Sequence, residues 1–85
     1  MNRQEIEQHW TKEAEKSLKG RKVKSLRYLS AKEAAGLGWH QRPLVIEFDD
    51  GTLVFASRDD EGNGAGALFG QGPNNEELVF PVLFT

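Results

Sequence analysis

The sequence predicts an α+β domain: an N-terminal helix packed on a small, strongly twisted antiparallel sheet of four or five strands. The strands are short enough to curl into a partly open, SH3-like barrel. Three observations carry this expectation. A four-residue apolar repeat, Ile6, Trp10, Ala14 and Leu18, is bracketed by Asn2 and Gly20. An Asp50-Gly51 dipeptide separates two apolar runs. Short apolar segments punctuated by Gly, Pro and Asn then follow to residue 84.

The first element starts at Asn2, a favoured N-cap, with Glu5 three residues on to reach back to the cap. The repeat from Ile6 to Leu18 places its apolar groups on one narrow, drifting stripe of a helix over 3–19. Glu5 and Glu7 lie near the positive end of the helix dipole, Lys16 and Lys19 near the negative end. Glu15 and Lys19 form an i,i+4 pair, and Gly20 suits the left-handed position after the helix. A stripe this narrow suits a helix lying across a sheet.

Residues 21–29 read as a strand whose alternation fails between Val23 and Leu26, which a one-residue bulge repairs. Ser30 to Glu33 has the capping-box pattern, so Ala34 and Ala35 continue a short helix that Gly36 and Gly38 stop. Residues 39–43 connect it to a hairpin over 44–57. With Asp50-Gly51 as a two-residue type I′ loop, Phe48 faces Leu53 and Ile46 faces Phe55. Ile46, Phe48, Leu53 and Phe55 are then expected on one face, with Val45, Glu47, Val54 and Ala56 on the other. Beyond a polar loop at 58–66, Ala67 to Phe69 reads as a short strand that drops Leu68 or Phe69 into the core. After a second loop, broken at Gly72-Pro73, residues 78–84 form a last strand, and Pro81 confines it to an edge.

Bulk properties narrow the function classes. Eighty-five residues make a single domain, and 38% apolar content leaves a thin margin of burial. The eight aromatic residues supply much of that burial. Without cysteine the chain has no disulfide, no thiolate nucleophile and no Cys-ligated metal. No apolar stretch approaches the roughly 20 residues that span a bilayer, and the charged start lacks a signal-peptide core, so a cytoplasmic location without membrane association is expected. The net charge is −2 but divided: residues 1–42 hold ten Lys/Arg against five Asp/Glu, and residues 43–85 one against eight. Either the halves neutralise each other internally or one charged face meets a partner.

Several constellations offer chemistry, each with a plainer reading beside it. Asp59, Glu61 and Asn63, with Asp60 between, imitate the start of a calcium loop. The twelfth position is Gly70 where a Glu is needed, and a strand precedes in place of a helix. A tight solvated loop explains the same residues. The Gly62-x-Gly64-x-x-Ala67 pattern lacks the βαβ unit of a dinucleotide site. Lys19, Arg21, Lys22, Lys24 and Arg27 are the best hint of a nucleic-acid surface, although the negative net charge and the absence of an RNA-binding signature weigh against it. Lysines along a strand edge also prevent aggregation. Acid–base catalysis by His40 with Asp59, Asp60 or Glu61 is the least supported reading.

The segment Asp49-Asp50-Gly51-Thr52, followed by Ser57-Arg58-Asp59-Asp60-Glu61-Gly62-Asn63-Gly64-Ala65-Gly66-Ala67-Leu68, resembles the signature of a family of small uncharacterised bacterial proteins. Gly20-Arg21-Lys22-Val23 and Gly38-Trp39-x-x-Arg42-Pro43 are similar to it as well, so the resemblance spans about residues 5–83. It implies no activity, cofactor or substrate, and directs attention to the acidic loop and the 39–43 connector.

The expectation is therefore a non-catalytic binding or interaction module without a cofactor. Its surface is expected at Trp39, His40 and Arg42 with Asp59, Asp60, Glu61 and Asn63. The edge strand 78–84 is a further place for a protein partner or for self-association. The alternatives are a metal-binding acidic loop and nucleic-acid binding through 19–27.

Overall fold

The computed structural model describes residues 2–57 and 66–83. Helix α1 spans Arg3–Leu18. The Asn2 side chain accepts from the Glu5 amide at 2.8 Å and caps it. Gly20, at φ +79°, turns the chain out of it. Strand β1 (Val23–Tyr28) leads to the short helix α2 (Ala31–Gly36), and β2 (Leu44–Phe48), β3 (Leu53–Ala56), β4 (Leu68–Gln71) and β5 (Glu77–Phe80) follow. The five strands form one open antiparallel sheet in sequence order, with β1 and β5 at its edges. The chain is thus α+β.

The bulge lies where the broken alternation put it. Val23 pairs with Phe48 while Ser25 pairs with Glu47, so Lys24 is the extra residue. The capping box is complete: Glu33 N donates to Ser30 Oγ at 3.0 Å and Ser30 N to Glu33 Oε1 at 2.8 Å. α2 ends in a Schellman motif. Gly38 N bonds the Ala35 carbonyl and Trp39 N the Ala34 carbonyl, with Gly38 at φ +77°. That turn delivers the Trp39 ring onto the sheet.

The 44–57 hairpin forms, but in another register. Its loop holds three residues, Asp49, Asp50 and Gly51. Phe48 N donates to the Thr52 carbonyl, Gly51 N to the Phe48 carbonyl, and Gly51 alone of the three has positive φ, +93°. This is a type I turn closed by a glycine bulge. Two contacts hold Asp50 there: its Oδ1 accepts from Thr52 N at 3.0 Å, and its Oδ2 lies 3.1 Å from Arg21 Nε. Asp49 N is engaged across the sheet by the Lys22 carbonyl. Val45 therefore faces Phe55, Ile46 faces Val54 and Glu47 faces Leu53. The expected apolar quartet is split, with Leu53 and Phe55 on one face and Ile46 and Phe48 on the other.

The face carrying Val45, Leu53, Phe55, Phe69 and Val79, called here the near face, holds the main core. Leu29, Ala34, Val45 and Phe55 are buried, and Trp39, Leu53 and Phe69 pack against them. Val45 is fully enclosed. On the far face Val54 is only 3% exposed. α1 touches β5, and no α1 residue lines the near-face surface of that strand, which places the half-buried stripe Ile6, Trp10, Ala14 and Leu18 on the far side. The last strand ends at Phe80, ahead of Pro81 and shorter than the expected 78–84.

Candidate functional site

The residues singled out from sequence separate into three groups. Trp39 is part of the core: its ring stacks on Phe69 at 6.0 Å between centroids and meets Phe55 edge-on at 5.8 Å. Arg42 is a structural clasp. Its Nε donates to the Leu29 carbonyl at 2.7 Å, while Leu29 N bonds the Pro43 carbonyl, so the two ends of the α2 excursion are tied together. His40 is exposed beside them. Asp59, Asp60, Glu61 and Asn63, and with them the calcium expectation, lie outside the described residues.

The basic run is largely committed to neighbours. Lys19 pairs with Glu15 at 3.1 Å and Arg21 with Asp50. Arg27 bonds Glu47 at 2.7 Å and Glu33 through both terminal nitrogens, which joins β1, β2 and the start of α2. The Arg27 guanidinium, assisted by the Ser30 amide, draws the Glu33 carboxyl down to about 2. The same two carboxylates raise the Arg27 pKa further. Lys22 and Lys24 make no ion pair among the described residues. Two ion pairs among the described residues, Arg27 with Glu47 and Arg21 with Asp50, join the basic half to acids of the second half.

A concave site lies on the near face between β5 and α2, whose Ala34 packs with Val45 of β2 and Phe55 of β3. A groove of about 440 Å³ runs there, within the volume range of ligand sites. Leu29, Leu37, Leu53, Phe55, Phe69, Leu78 and Val79 supply its apolar lining. Leu37 at the end of α2 and Val79 on β5 are both exposed, one on each bank. Glu33 and Glu77 add carboxylates, and among the described residues the lining contains no cation. Gly70 lets β4 lie close: a Cβ there would collide with the Leu53 carbonyl oxygen. Such a site can enclose an apolar group and favours positive charge beside it.

A second surface lies on the far face at the opposite end of the sheet. Val23, Leu26, Tyr28 and Leu44 are 44–62% exposed, and the pairings Leu26 with Ile46 and Tyr28 with Leu44 make them contiguous. The sequence marks Val23, Leu26 and Tyr28 as the apolar residues of β1, but an apolar face does not by itself reveal whether another element covers it. The groove was missed for a related reason: Leu37 and Val79 come together only once α2 is laid on the sheet. The Gly38-Trp39 pair, a helix stop followed by a bulky apolar group, was the available signal. No protein-family model, curated protein or solved structure matches the chain.

Proposed function

We propose that the chain is a small binding module whose near-face groove receives a large apolar side chain of a protein partner with a Lys or Arg beside it. The observation that carries this reading is the composition of the groove among the described residues: seven apolar residues, two carboxylates and no cation. Glu33 is already shared with Arg27, so Glu77 is the carboxylate left to meet an incoming cation. Apolar burial supplies affinity in such a site, and the charge selects among partners. Nucleic-acid binding gains less support, since three of the five cations in the basic run are paired with carboxylates.

The test is an amide NMR titration with two short peptides, Lys-Leu-Lys and Glu-Leu-Glu, each with blocked ends. Saturable shifts at Leu37, Phe69 and Val79 with the basic peptide alone are expected. Silence at about 1 mM peptide, a concentration that detects even weak binding, or equal shifts with the acidic one, would sink the reading.

A further inference from the structure

We infer that the occupant of the groove is a second copy of the chain, presenting the bare far-face stripe of β1 and β2. This rests on the groove reading above and names its partner. The sheet leaves one half-face uncovered at each end, on opposite sides: the groove over β4 and β5, and the stripe of Val23, Leu26, Tyr28 and Leu44. The two are opposite in charge. The stripe contains no carboxylate and is flanked by Lys22 and Lys24, free of ion pairs among the described residues. The groove has Glu77 and, among the described residues, no cation. Stripe against stripe brings lysines together, and groove against groove brings Glu77 to its own copy. Only the head-to-tail contact joins unlike charges, and it leaves a free stripe and a free groove at its two ends, so it continues into a ring or a chain.

The sheet edges are poorly suited to the alternative of strand addition. Gly72 N bonds the Glu76 carbonyl, so in the alternation of an antiparallel ladder Glu77 and Val79 direct their amides outward. Pro81, next in that outward series, has no amide to offer. On β1 the outward series runs from Tyr28 to Leu26 and meets the Lys24 bulge. Each edge exposes two residues of regular backbone, whereas the half-faces expose large apolar side chains.

Sedimentation of the whole chain at low salt, with Leu26→Asp and Val79→Asp variants, tests this. Both positions are exposed, so amide spectra should show the fold kept. The wild type is expected to associate with concentration, at least tenfold more weakly when salt is raised from about 0.05 to 0.5 M. Each variant alone should be monomeric, and an equimolar mixture should form a 1:1 dimer that grows no further, because each partner retains one working surface. A wild type monomeric up to about 1 mM would overturn the inference. So would association of Val79→Asp alone, association of Leu26→Asp alone, or a mixture that stays monomeric. The Lys-Leu-Lys peptide separates the two claims: binding by Leu26→Asp but not by Val79→Asp upholds the groove reading whatever the self-association result.

Discussion

The two ends of the sheet are closed on opposite sides. At the β1 end the near face is closed by α2 and the Arg27 ion pairs, while Val23, Leu26, Tyr28 and Leu44 are exposed on the far face. At the β5 end α1 lies on the far face, and the near face opens into the groove. The difference follows from supply. Among the described residues, two helices, one of six residues and one of sixteen, do not suffice to cover both faces of five strands. What is covered holds the fold together, and what is left over is available to a partner. Stability should therefore rest on the covered side chains and binding on the exposed ones, with Phe55 and Phe69 on the groove floor serving both.

The strongest way to break the sealed end is Phe55→Ala. Phe55 meets both Trp39 and Phe69. Its loss should cost about 3–5 kcal/mol, a large part of the stability of a domain this size. Urea unfolding reads this; a loss within about 1 kcal/mol would mean the aromatic cluster is not the core. Next is Ser30→Ala, which removes one half of the capping box and should cost about 1 kcal/mol. Amide exchange in α2 should quicken while α1 is unaffected. An equal change in both helices would contradict the separation.

Acid gives a smaller effect. Glu33 has its carboxyl lowered from 4.5 to about 2 by Arg27, so its contribution is fully present above pH 4.5 and is lost as pH falls toward 2. The pair is partly exposed and screened, which limits the contribution to about 1 kcal/mol or less. Comparing wild type with Glu33→Gln between pH 6 and pH 2.5 isolates it: the difference in unfolding midpoint should shrink as pH falls. A constant difference would show that Glu33 acts through something other than its charge. Smallest of all is the stability effect of Leu26→Asp and Val79→Asp at the bare surfaces, within about 0.5 kcal/mol. A larger loss would show these side chains to be covered in the monomer.

Most of the element order was legible because each signal is local. Asn2 and Gly20 bracket α1, Ser30 with Glu33 opens α2, and the failed alternation at Val23 locates the Lys24 bulge, all within a few residues. The candidate site was not. Trp39 and Arg42 have the composition of a contact surface, yet their neighbours Ala34 and Leu29 draw them into structural roles. The groove brings Leu37 and Val79 together across 42 positions in sequence, and no local pattern encodes that meeting.

The amino-acid sequence by itself determined where helices begin and end, that the chain doubles back around Asp50-Gly51, and that Pro81 keeps the last strand at an edge. Capping, turn chemistry and the missing proline amide act over a turn or less of chain. Which side chains share a face was decided only by the tertiary structure. Asp49-Asp50-Gly51 accommodates a two-residue or a three-residue loop, and the choice reverses the facing of every residue in one strand against the other. The Lys22 carbonyl on Asp49 N and the Arg21 guanidinium on Asp50 come from the segment leading into β1, more than twenty residues earlier, and they hold the longer loop.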